Sequence, residues 1–203
     1  MKFIFFILLL ITIISCNRVS NEDKDKLIQS GFSKESINRV IDEKFNSKDI
    51  DVLISLKQVT ENEPLCFESL KVIKLKNADS LLDDFKTLLT LKANPEFISQ
   101  LIDLKVIPFH TDDIFELKQN NFSDSTILKI SKLIVEKKTK ASGYDYAVLK
   151  TRNFDENMIM KFIQLNGTPD HVNYIRRDFA LGLSAQESFD RAFDIKKDTT
   201  KVN

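Results

Sequence analysis

The sixteen residues DDIFELKQNNFSDSTI, Asp112 to Ile127, carry the end of one helix and the start of the next. Thr111 caps the first helix, and Asp112 and Asp113 fill its opening turn, where the positive end of the helix dipole favours carboxylates. Ile114 and Leu117 then mark an apolar face. Asn121 stands where a helix commonly stops on glycine, because asparagine also tolerates left-handed backbone, and Ser123 is a new cap. The apolar spacing resumes at Ile127.

The same stop-and-start grammar recurs at Gly31-Phe32-Ser33, Gly167-Thr168-Pro169 and Gly182-Leu183-Ser184, which together use three of the chain's 4 glycines. Asn94-Pro95 places proline directly after a cap residue, and Ser184 to Glu187 reads as a capping box. Between these marks apolar residues recur at helical spacing, as in Ile37, Val40, Ile41 and Phe45, or Phe97, Ile98, Leu101 and Ile102. No stretch sustains a period of two. The pattern predicts short helices near 22–30, 34–45, 48–59, 64–76, 80–92, 95–106, 112–120, 124–138, 144–152, 156–166, 169–181 and 185–196. Residues 139–155 give the weakest signal, because Ser142-Gly143 interrupts the pattern. The start residues Ser33, Ser47, Glu63, Asp79, Asn94, Thr111 and Ser123 lie 12 to 17 residues apart, the mark of a helical array whose hairpins bury their faces on one another.

Asp112 to Ile127 resembles a helical-hairpin unit seen in many bacterial proteins of unknown function, and Leu27 to Ile37 (LIQSGFSKESI) matches it, with Phe179 to Phe189 (FALGLSAQESF) a looser copy. The resemblance implies architecture and no activity. The tryptophan, glycine and tyrosine landmarks of a tetratricopeptide repeat are missing. The expected fold is therefore all-α, an array of about ten to twelve short antiparallel helices, either a helical-hairpin repeat or an irregular solenoid-like bundle.

Composition agrees. In 203 residues there are only 4 glycines and 4 prolines, too few for the turns of an all-β protein or the loops of a nucleotide site. Thirty basic side chains balance 30 acidic ones, which removes the electrostatic case for a nucleic-acid binder. Two cysteines exclude a disulfide scaffold.

The N-terminus reads as an address. Lys2 precedes a run from Phe3 to Ile14 that is apolar apart from Thr12, twelve residues that would rise about 18 Å as a helix, short of the hydrocarbon core of a bilayer. Ile13-Ile14-Ser15-Cys16 resembles a bacterial lipobox, with isoleucine where leucine is commoner. The resemblance implies that residues 1–15 are a lipoprotein signal peptide and that Cys16 is the lipid attachment site. An ordinary cleaved signal peptide and an uncleaved anchor are the alternatives. Residues 16–26 then form the lipidated cysteine and a polar tether, and residues 27–203 one helical domain. Cys66 is left as a lone thiol, expected to be buried and inert.

Chemistry-bearing signals are few. No nucleophile elbow, P-loop, zinc-protease or EF-hand motif is present. His110-Thr111-Asp112-Asp113 brings imidazole and carboxylates together, but reads first as a helix start, and His171 as a boundary residue. No cofactor or metal is expected. Candidate partner-binding residues are the turn phenylalanines Phe109, Phe122 and Phe154, and the lysines Lys129, Lys132, Lys137 and Lys138 of the strongest basic run. The functional expectation is a cell-envelope lipoprotein, on the cell membrane or outer membrane and facing the periplasm or cell surface. It would act as a non-enzymatic binding or scaffold module, with the membrane and an envelope protein as partners and no nucleic acid. The alternatives are a small envelope hydrolase working with carboxylates, or a host-facing surface antigen.

Overall fold

A computed structural model describes residues 19–194, and these form twelve α-helices with no strand among them. Helix α1 spans Asn21–Gln29, α2 Lys34–Asp42, α3 Ser47–Lys57, α4 Glu63–Lys76, α5 Leu82–Thr90 and α6 Pro95–Asp103. Helix α7 spans Thr111–Gln119, α8 Asp124–Val135, α9 Gly143–Lys150, α10 Glu156–Gln164, α11 Pro169–Ala180 and α12 Ala185–Ala192. A 3-10 turn, Asp79–Leu81, leads into α5. The fold is the all-α array that the sequence predicts, but the chain divides into two compact units, Met1–Glu96 and Phe97–Asn203, where the sequence suggests one domain.

One turn design explains how so many short helices fit in so few residues. Eleven helix ends carry a residue at positive φ, Asp194 after α12 and ten others: Gly31, Lys44, Asn77, Lys92, Lys105, Asn121, Lys137, Asn153, Asn166 and Gly182. The ten share one closure. The next residue's N–H bonds to the carbonyl five residues back, as from Phe32 to Leu27, Phe45 to Val40, Phe122 to Leu117 and Phe154 to Leu149. This is the Schellman closure, which satisfies carbonyls that the helix end leaves without partners. At six of these turns the following residue caps the next helix: Ser33, Asn46, Ser123, Asp155, Thr168 and Ser184. Three residues thus end one helix and begin another.

Two glycines serve close approach. The sequence pattern makes Gly167 the stop residue of α10, but Asn166 holds the positive φ, and a Cβ on Gly167 would fall 2.1 Å from the Phe162 ring. Gly143, the break in the weakest stretch, opens α9 behind a Ser142–Asp145 capping box. A Cβ there would fall 2.5 Å from the Asp113 carbonyl oxygen.

The expected tether also needs correction. Residues 21–26 belong to α1, because Ser20 caps the helix and Asp23 is buried, accepting from the Ser20 hydroxyl at 2.8 Å and the Ser47 hydroxyl at 2.9 Å. Cys16 and the apolar run before it lie outside the described residues.

Each unit buries its own core. In the first, Leu27, Val40, Leu53, Cys66, Ile73 and Phe85 are fully enclosed. In the second, Ile114, Ile130, Tyr146, Phe162 and Ile175 are, with Phe162 meeting Tyr146 edge-on at 6.4 Å and Phe193 at 5.5 Å.

Candidate functional site

A carboxylate clasp occurs twice, once in each unit. In the first, Glu63 opens α4 and reaches the cap of α2: it accepts from the Ser33 N–H at 3.0 Å and the Ser33 hydroxyl at 2.7 Å, and from the Ser36 hydroxyl. Lys57 lies 3.2 Å away and also covers the ring of buried Phe32. In the second, Glu156 opens α10 and reaches the cap of α8, accepting from the Ser123 N–H at 2.8 Å, its hydroxyl at 2.6 Å, and the Thr126 hydroxyl. Lys150 lies 3.6 Å away and covers the ring of buried Phe122. Serine, hydroxyl, glutamate, lysine and phenylalanine therefore recur in the same roles, at Phe32, Ser33, Ser36, Lys57 and Glu63, then Phe122, Ser123, Thr126, Lys150 and Glu156. Helices α1 to α4 are matched by α7 to α10.

The clasps tune their carboxylates downward. Burial by itself would raise Glu63, and the bonds from Ser36, Ser33 and Lys57 outweigh it, bringing the group from 4.5 to about 2. Glu156 reaches about 2 by the same balance, against bonds from Ser123 and Thr126. Asp23 is lowered chiefly by the Ser20 hydroxyl and Glu136 by Lys138. Burial pushes the Cys66 thiol up to about 11, in keeping with an unreactive core cysteine.

The candidate residues separate sharply. Phe122 and Phe154 are 3% and 1% exposed, so both are core and neither is a partner surface. Each follows a left-handed residue, Asn121 or Asn153, and packs back as a plug onto the helix it has just left. Phe109 is 82% exposed. Lys129 and Lys132 border a shallow hollow of about 420 Å³ with Leu104 and Leu128. Lys137 and Lys138 form the closing turn of α8 and are exposed.

Both histidines are engaged through Nδ1 at helix starts. His110 occupies the cap position of α7 and meets Asp113 at 3.2 Å, while Asp113 also accepts the Gly143 N–H at 2.7 Å. His171 accepts the Thr168 N–H at 3.1 Å on Nδ1, and its ring stacks on Phe193 at 4.7 Å. Asp170, Tyr174, Arg191 and Asp194 line a hollow of about 350 Å³ beside it, with Arg191 held 3.4 Å from buried Asp178. No group of three or more His, Cys, Asp or Glu suited to a metal ion occurs among the described residues.

Nothing in the sequence pattern points to a third concavity. A groove of about 620 Å³ between α2 and α4 is floored by Phe45, Phe67 and Leu70, with Leu75 at its edge 73% exposed. The Phe45 and Phe67 rings lie 6.0 Å apart, Arg39 stacks on Phe67 at 4.2 Å, and Lys74 stands 5.5 Å from the Phe45 ring. Lys71 adds a third cation to the rim, where Arg39 is bonded to Glu43 at 2.7 Å and Lys74 to Asp49 at 2.7 Å. Phe45 sits in the turn Lys44-Phe45-Asn46, a stop-and-start triplet like Asn121-Phe122-Ser123 with lysine at the left-handed position.

No protein-family model, curated protein or solved structure matches the chain. No helix among the described residues is long and apolar enough to cross a membrane.

Proposed function

We propose that the chain is a lipid-anchored cell-envelope protein, held by Cys16, whose first unit captures an acidic amphipathic segment of an envelope protein in the α2–α4 groove. The groove carries this reading: an aromatic floor with Lys71 above it, beside Arg39 and Lys74 in their pairs with Glu43 and Asp49, suits a helix whose apolar face enters while its carboxylates meet the rim. The internal repeat strengthens it. Both units keep the clasp, yet Met160 and Gln164 stand four and eight residues after Glu156, where Phe67 and Lys71 follow Glu63. The aromatic groove is thus more than the helical array needs.

Binding also fits the carboxylates better than hydrolysis does. Asp23, Glu63, Glu136 and Glu156 are all pushed down, whereas a general acid working near neutrality needs a carboxyl group pushed up.

Two experiments test the reading. Cys16→Ala is expected to release the protein from cell membranes, and its retention there would remove the anchor. A labelled peptide with leucines and glutamates at helical spacing is expected to bind the protein. Phe45→Ala and Lys71→Glu should each weaken it at least tenfold, while Lys92→Glu, outside the groove, leaves it unchanged. Equal binding by all four proteins, or a turnover activity abolished by one carboxylate substitution, would overturn the proposal.

A further inference from the structure

The chain's charge is balanced overall, yet one segment departs from that balance. Residues 128–140, LKISKLIVEKKTK, hold five lysines and a single glutamate. Lys129, Lys132, Lys137, Lys138 and Lys140 are all exposed. Glu136 answers part of this charge, 2.9 Å from Lys138 and 4.0 Å from Lys132. Lys129 and Lys137 make no ion pair among the described residues.

Helix-dipole compensation does not account for so many cations. The last turn of α8 itself holds one basic residue, Lys132, as the last turns of α3, α9 and α10 do, and α4 holds two, Lys74 and Lys76; Lys137, Lys138 and Lys140 come in addition, beyond the end of α8. Lys129 lies in the middle of α8, away from the negative end. The repeat again shows what the fold requires: the position after the left-handed residue, Phe45 at the end of α2, is Lys138 at the end of α8. Apolar surface accompanies the lysines, with Leu104 and Leu128 in the hollow that Lys129 and Lys132 share with Gln100 and one carboxylate, Asp103, and Val135 exposed at the helix end. Lysine stems lying along apolar side chains while their ammonium groups reach outward suit a charged interface.

We infer that the lysine-rich end of α8 is a docking surface for anionic lipid headgroups. The inference rests on the anchored reading for its setting: only three residues separate Cys16 from the α1 cap Ser20, at most about 14 Å of chain, so an anchored protein stays near the headgroups. Near an anionic bilayer each lysine adds about fivefold to binding, and an anchor raises the local concentration of headgroups around the whole chain.

The test uses the full chain carrying Cys16→Ala, cosedimented with vesicles of phosphatidylcholine alone or with about a third phosphatidylglycerol. The apolar N-terminal run contributes to both compositions, so the readout is their ratio. An anionic preference of at least tenfold, lost with high salt, is expected. Replacing Lys129, Lys132, Lys137 and Lys138 by Gln should reduce it to threefold or less. The same change at exposed Lys34, Lys44, Lys48 and Lys92 should leave most of it. No preference in the parent chain, or equal loss in both variants, would overturn the inference. So would lysine-dependent binding of a soluble acidic peptide with none to vesicles, which would make the surface a protein site. Vesicle preference is measured without the acyl chains, so its failure and the failure of the anchor are separate results.

Discussion

Replacing Glu63 by glutamine keeps the shape of the clasp and removes its charge. The wild-type carboxyl is held at about 2 against an ordinary 4.5, and each tenfold change in a protonation equilibrium is worth about 1.4 kcal/mol, so the clasp stabilises the folded state by at most about 3 kcal/mol. Glu63 retains 14% exposure and Glu156 25%, and solvent screening lowers the contribution to about 1–3 kcal/mol for each. The folded pKa is the depressed one, so this stability is fully present above pH 4.5 and is lost as pH falls from there toward 2. Urea unfolding followed by far-UV circular dichroism, repeated from pH 7 to pH 2, reads both features. Glu63→Gln and Glu156→Gln should each lower stability at pH 7 and flatten its decline below pH 5. The two carboxylates share no bonding partner, so their losses at pH 7 should add within about 0.5 kcal/mol. A glutamine variant as stable as the parent, with the same pH slope, would show that the hydroxyl bonds do not hold these carboxylates down.

Phe122→Ala should cost about 3–5 kcal/mol while Phe109→Ala stays within about 0.5 kcal/mol of the parent, because one ring is enclosed and the other is 82% exposed. Thermal unfolding of the pair measures the contrast, and similar losses would contradict the burial assignment. Gly167→Ala forces the Phe162 ring aside and should cost about 1–3 kcal/mol, read by the same method. An unchanged midpoint would mean that the Phe162 ring yields freely.

Local chemistry makes the helices legible. A serine, threonine, asparagine or aspartate cap acts within three residues of itself, so Ser33, Ser123, Thr168 and Ser184 announce helix starts without any knowledge of the rest of the fold. Helix ends are less visible where lysine takes the left-handed position, as at Lys44, Lys92, Lys105 and Lys137, because lysine carries no turn signal of its own. The clasps are invisible for a different reason. Ser33 and Glu63 lie 30 residues apart and Ser123 and Glu156 lie 33 apart, so only the folded chain joins them. The groove escapes notice likewise, since Phe45 and Phe67 belong to separate stretches that each read as ordinary apolar stripes.

The repeat separates what the array needs from what each unit adds. A short helix closed by a left-handed residue often has its last turn covered by an apolar group, and Phe32 and Phe122 do this in buried form beneath Lys57 and Lys150. Phe45 holds the same turn position but remains partly exposed, because it faces the groove beside Phe67. At the matching turn Lys138 shows that even a charged residue can close a helix there when its N–H still reaches the Leu133 carbonyl. The backbone bond is therefore the requirement at that position and the side chain is free to vary. One unit has used that freedom for an aromatic floor and the other for a cluster of positive charge, which is why those two places, and not the clasps, are where binding is to be sought.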